Sequence, residues 1–295
     1  MSTNAQESRR PLEFAAAARI FESGGGYPLL LLLTFVMDFR RVLAIAWAKG
    51  GQSGGLAGAA DFVNFLVLAE WWCLYEIARR VDWSKLHAGR PERLAGLAFA
   101  GYALFFVVLQ SHVLTAALGV AIALRLALAS PEFRPVAIVV ALISLQDAFS
   151  KEIFGFSINA LVADLDARGA HLMLSLAGFP IERTGNALHL IDTTHVIRVV
   201  PTCATTVALF EALAAFGVFA IWLRAEIGWR LALLAGALVV AVFQINWLRL
   251  AVVTLSKEHY DYWHDGSGRA IIGMTYVVLA FFLAHLAAPR QNGPG

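Results

Sequence analysis

Apolar residues run along this chain in long blocks, separated by short polar clusters. A helix crossing the hydrocarbon of a bilayer needs about 20 mostly apolar residues. Eight blocks approach that length: 27–47, 60–78, 94–112, 113–129, 135–150, 202–224, 229–254 and 270–288. The first is interrupted by "DFRR", Asp38 to Arg41, whose charges predict a face turned to the bundle or to water. The third and fourth have almost no loop between them, which predicts a tight helical hairpin. The fifth is short.

The longest connecting segment, 151–201, reads differently. Its first part, "EIFGFSINALVADLDARGAHLMLSLAGFP", mixes apolar residues with Asp164, Asp166 and Arg168. That mixture predicts one or two amphipathic helices lying on the bundle or at the interface. In "IERTGNALHLIDTTHVIRVV", Val, Ile and Thr alternate partially about Gly185-Asn186, which predicts a small β-hairpin. A hairpin alone cannot cross a bilayer, because its edges would leave backbone groups unpaired. It is expected just outside the membrane, leading into Cys203. The expected fold class is an all-α polytopic membrane protein of about eight transmembrane helices, whose extracytoplasmic loop contains an amphipathic helix and a small β-hairpin. The expected organisation is an amino-terminal segment 1–26, helices one to five over 27–150, the loop 151–201, helices six to eight over 202–288, and a tail 289–295.

Composition supports this reading. Soluble domains are about 45–50% apolar and about 25% charged; this chain of 295 residues is 59% hydrophobic and 15% charged, with mean hydropathy +0.68. Such a surplus does not fit inside one soluble core, so membrane lipid is the expected surrounding. The formal net charge of +2 says little about partners, and nothing in the sequence suggests nucleic acid. Residues 1–26 contain Arg9, Arg10 and Arg19 but no apolar core followed by a small-residue cleavage site, which predicts no removable signal peptide. Lys and Arg concentrate in cytoplasmic loops. The basic stretch "ARRVDWSKLHAGRPERL" falls inside if the amino terminus does. Both termini are then cytoplasmic, and 151–201 and 255–269 lie outside. The expected location is the cytoplasmic (inner) membrane.

Candidate chemistry gathers on the outer side of the last three blocks. The chain has two cysteines. Cys73, inside "AEWWCLYEIA", reads as a small packing residue. Cys203 stands at the entrance to the block 202–224, where unpaired N–H groups and the helix dipole favour thiolate. Thr202, Thr205 and Thr206 can hydrogen-bond nearby; the plainer alternative is an inert buried thiol. Arg249 lies within the block 229–254, and Asn246, three residues earlier, shares its helical face. An arginine there either serves a function inside the protein or snorkels to the interface. The segment "SKEHYDYWHDGSGRA" holds His259, His264, Asp261 and Asp265. A histidine there can accept protons near neutral pH; otherwise the segment is a solvated loop with aromatic anchors. It lacks a spacing such as H-E-x-x-H, and no metal is expected. Together, a cysteine, an arginine and a histidine supply a nucleophile, an oxyanion-stabilising cation and a base.

These residues resemble the exosortase/archaeosortase family of membrane cysteine transpeptidases. The block "LAGFPIERTGNALHLIDTTHVIRVVPTCATTVALFEAL" is similar to the family's glycine–asparagine hairpin followed by valines and the nucleophilic cysteine. "NWLRL" is similar to its N-x-x-R, and "WHDGSG" to its H-x-x-x-G, here His264 to Gly268. The likeness covers roughly 175–270. It departs at Ala204 and Thr205, where the family usually has serine and glycine. Arg249 and His264 also stand closer together than the family pattern suggests, which keeps His259 open as an alternative base.

The resemblance implies cleavage of exported proteins that carry a C-terminal sorting tail: a short motif, a membrane helix and a basic cluster. Cys203 would form a thioester, with Arg249 and His264 as oxyanion stabiliser and base, and Asn246, His259, Asp265 and Thr202 in possible support. An amine, a hydroxyl or water would resolve the thioester, and no cofactor is required. Two other classes remain open. Asp38, Arg40, Arg41, Gln110, Gln146, Asp147, Glu211 and Asn246 are polar positions from which a transporter could line a pathway, although no inverted repeat with paired broken helices is evident. A non-catalytic membrane scaffold would leave Cys203 inert.

Overall fold

A computed structural model describes residues 65–86, 112–149, 157–191, 193–200 and 203–289. The candidate span 27–47, the segment 1–26, and nearly all of 94–112 and of the tail 289–295 lie outside the described residues. Within them the chain forms α1 (Phe65–Ala78), α2 (His112–Ala129), α3 (Arg134–Ala148) and α4 (Ser157–Leu176), then β1 (Ile181–Thr184), β2 (Ala187–Leu190) and β3 (Val196–Arg198). There follow α5 (Thr205–Trp222), α6 (Trp229–Leu255), the single turn α7 (Lys257–Tyr260), a π-helical turn Asp261–Asp265, and α8 (Gly268–Ala287).

Among the described residues, three helices are long and apolar enough to cross a membrane: α5, α6 and α8. They correspond to the last three apolar blocks, and their ends differ from the sequence expectation by only a few residues. The described parts of the blocks 60–78, 113–129 and 135–150 form the helices α1, α2 and α3.

Helix α5 is apolar on nearly every side, with Glu211 its one charged residue, the pattern of a helix enclosed by others. It packs against α1, α3, α6 and α8. Lipid tails are as apolar as leucine, so helices in a bilayer associate through close packing, favoured by small residues. Ala212 and Ala215 on α5 and Ala280 and Ala284 on α8 are fully enclosed where the bundle core forms. Phe133, Phe216, Phe219 and Leu126 fill the remaining space.

The described part of the segment 151–201 has two parts, as its sequence suggests. Helix α4 lays Ala163, Ala167, Ala170 and Leu174 against Leu250, Ala251 and Val253 of α6. Its opposite side exposes Leu161, Leu165, Leu172 and Leu176. The expected hairpin is β1–β2, pairing Ile181 with Leu190 and Thr184 with Ala187. Gly185 has φ +60, the backbone that the first position of a two-residue II′ turn requires. One strand more is present than the hairpin expectation allowed. Strand β3 pairs antiparallel to β2, Leu188 opposite Ile197, making a three-stranded sheet.

Candidate active site

The sheet delivers the chain to Cys203. Asn186, beside the hairpin turn, donates from Nδ2 to the Val199 carbonyl at 2.6 Å and accepts the Val199 N–H at 2.9 Å. The glycine therefore shapes the turn, and the asparagine ties it to the strand leaving the sheet. The Cys203 N–H then donates to the Val200 carbonyl at 2.8 Å, closing a turn two residues before α5 begins.

Helices α5 and α8 start, and α6 ends, at the same end of the bundle. Arg249 stands six residues before the end of α6, or about 9 Å along the axis at 1.5 Å per residue. Cys203 Sγ lies 3.1 Å from His264 Nε2. In that contact either the thiol donates to a neutral ring or the protonated ring donates to a thiolate. The π-helical turn carrying His264 is held from two sides. The Tyr260 ring stacks on the imidazole, with centroids 4.5 Å apart and planes 13° from parallel. Arg249 Nε donates to the Trp263 carbonyl at 3.2 Å.

His259 is engaged elsewhere. Ser256 Oγ accepts its main-chain N–H at 3.2 Å, capping α7, and shares a 2.7 Å hydrogen bond with its Nδ1, whose direction follows the ring tautomer. The structure thus brings Cys203, Arg249 and His264 together and leaves His259 in the cap of the preceding turn. Asp265 closes the π-helical turn, and its side chain lies outside the described set, as does Thr202. Of the polar positions considered for a transport pathway, Asp38, Arg40, Arg41 and Gln110 are outside the described residues. Gln146 donates to buried Glu70 at 3.1 Å. Among the described residues no three His, Cys, Asp or Glu side chains converge as a metal site would need.

Asn246 does not face the thiol. It is buried and donates from Nδ2 to Thr205 Oγ1 at 3.0 Å, with longer contacts of 3.4 Å to Asp166 Oδ2 and the Cys203 carbonyl. Asp166 of α4 is wholly enclosed beside it. Its carboxylate accepts the Thr205 N–H at 2.7 Å, the Thr205 hydroxyl at 2.6 Å and the Trp247 indole N–H at 2.9 Å. Burial pushes the carboxyl above its ordinary value, while these hydrogen bonds oppose the shift. The N-cap residue of α5 is Ala204, which has no capping side chain. Asp166 provides the cap from another helix. A carboxylate therefore already occupies the first N–H of α5, a group that the sequence leaves open to Cys203.

Asp166, Trp247 and Tyr260 were not legible as site residues. Asp166 looked like one charge of an amphipathic helix and Tyr260 like an interfacial anchor, and their partners stand far away in sequence. Gly169 offered a signal only in retrospect: a Cβ there would fall 2.1 Å from Trp247 Cδ2, so the ring that reaches Asp166 needs the glycine.

The family model for transmembrane exosortase matches residues 58–281. The chain belongs to the transmembrane exosortase family. The match contains the sheet, Cys203, Arg249 and His264 together with α1 to α6 and most of α8. Exosortases are membrane enzymes of the peptidase or transpeptidase type that act on exported proteins with sorting signals. No curated protein and no solved structure matches the chain.

Proposed function

We propose that this exosortase is a cysteine transpeptidase or peptidase that removes the C-terminal sorting tail of exported proteins through a thioester on Cys203. The observation carrying the proposal is the 3.1 Å contact between Cys203 Sγ and His264 Nε2, beside a cation tethered to the same turn.

In the first half-reaction the Cys203 thiolate attacks the carbonyl carbon of the peptide bond before the tail. Arg249 stabilises the oxyanion that forms. As the C–N bond breaks, His264 delivers a proton to the departing amine, and the acyl group remains as a thioester. In the second, an acceptor amine, a hydroxyl or water attacks the thioester, His264 takes its proton, and the C–S bond breaks to regenerate the thiolate. Covalent catalysis replaces one difficult step with two easier ones. The substrate's own tail helix, docked laterally in the bilayer, would fix the scissile bond near the thiol.

The distribution of Lys and Arg supports both termini on the cytoplasmic side of the inner membrane and the reaction on its outer face. The deciding experiment expresses Cys203→Ala in a host displaying a tailed substrate. Tail removal is expected to stop; removal at the parent rate overturns the assignment.

A further inference from the structure

Among the described residues, four donors converge on one buried carboxylate beside the turn that bears the thiol. Thr205 N–H, Thr205 Oγ1, Trp247 Nε1 and Asn246 Nδ2 all donate to the one carboxylate of Asp166. Two of these donors belong to the first residue of α5, two residues after Cys203, and the others to α6, which carries Arg249. Asn246 also reaches the Cys203 carbonyl. Packing of α4 on α6 is already provided by Ala163, Ala167 and Ala170 against Leu250 and Ala251. The carboxylate itself joins different parts: the turn bearing the thiol and the helix bearing the cation.

We propose that Asp166 is a positioning residue of this site, holding the first turn of α5 against α6 so that Cys203 stays within reach of His264. The inference rests on the thioester reading, but it concerns the placement of the thiol, which is measurable without substrate. A buried anion surrounded by four donors tolerates little displacement, because each lost contact leaves a desolvated donor unpaired. Trp247 takes part because Gly169 lets its ring lie against α4.

The test is the rate of Cys203 alkylation by iodoacetamide between about pH 5 and pH 9, measured on the purified full chain in detergent. A Cys73→Ala background removes the other thiol. Residues in one network show non-additive effects. Asp166→Ala and His264→Ala are each expected to slow alkylation at neutral pH about ten-fold, and the double variant to be no slower than either alone. A merely structural Asp166 would leave the His264-dependent part of the pH profile in place, and the two effects would multiply. Multiplying effects, or an Asp166→Ala profile identical to the parent's, overturns the proposal. If Asp166→Ala does not fold, Thr205→Val and Trp247→Phe each remove one donor. Each is expected to slow alkylation about three-fold in the parent and not at all with His264→Ala, and parent-like rates in both overturn the proposal. Tail removal that persists in Cys203→Ala would overturn the function and leave this comparison standing. Multiplying effects in a chain whose Cys203→Ala variant is inactive would overturn the positioning role alone.

Discussion

Arg249 donates from Nε to the main-chain carbonyl of Trp263, 3.2 Å away, and Trp263 immediately precedes His264. The cation from α6 is thereby tethered to the turn that carries the imidazole. Shifting one displaces the other relative to Cys203. The tether suits a guanidinium, which has Nη donors besides the Nε that holds the turn, whereas a lysine ammonium is a single point charge. Arg249→Lys is therefore expected to be almost as damaging as Arg249→Ala. Loss of an oxyanion donor slows acyl transfer by about 10²–10³-fold. A pulse-chase of tail removal measures this, and an Arg249→Lys rate within two-fold of the parent would contradict it.

The two histidines separate cleanly. His264→Ala is expected to lose about 10²–10⁴-fold, the range for a missing general acid–base. His259→Ala removes a ring held by Ser256 and should change the rate only a few-fold. The same pulse-chase decides, and the reverse ranking would move the base to His259.

Gly268 begins α8 against the turn bearing His264. A Cβ at this position would fall 2.9 Å from Trp263 Cα and 2.8 Å from its Cε3. Gly268→Ala must push back Trp263, the residue whose carbonyl holds Arg249. Overpacking of this kind costs about 1–3 kcal/mol, and tail removal should slow with it. Thermal unfolding in detergent together with processing checks both; an unchanged melting temperature and rate would show that the turn yields freely.

Asn186 links the hairpin to the strand approaching Cys203. Asn186→Ala deletes its side-chain bond to the Val199 carbonyl, a loss of about 1 kcal/mol for one net hydrogen bond. The variant should fold with a lower melting temperature and process tails more slowly. Equal melting temperatures for variant and parent would remove this link from the account.

Asp166 lies in α4, apart from the three candidate spans, and burial raises its carboxyl above the ordinary value. A group whose folded pKa is raised favours the folded state fully only below its unfolded value. That contribution is lost as pH rises through the folded value. Stability referred to Asp166→Asn, which does not titrate there, should therefore improve as pH falls through this acidic window. Melting temperatures of the two proteins across the window measure it. A pH-independent gap between them would mean that the hydrogen bonds offset burial, and a gap that worsens as pH falls would mean that they dominate.

Local sequence was enough for the membrane class, the three candidate spans α5, α6 and α8, the Gly185-Asn186 hairpin, and Cys203, Arg249 and His264 as candidate site residues. These are legible because each is written locally. Apolar blocks match the thickness of a bilayer, a glycine–asparagine pair marks a turn, and charged or nucleophilic residues stand out in greasy surroundings. Tertiary structure alone decided that His264 rather than His259 meets the thiol, that β3 joins the hairpin, and that Asp166 caps the helix following Cys203. Each of these joins residues distant along the chain, 39 positions apart for Asp166 and Thr205 and 61 for Cys203 and His264. Periodicity and composition report which face of an element is apolar. They do not report which polar groups meet once the faces have packed, and in this protein that meeting forms the candidate site.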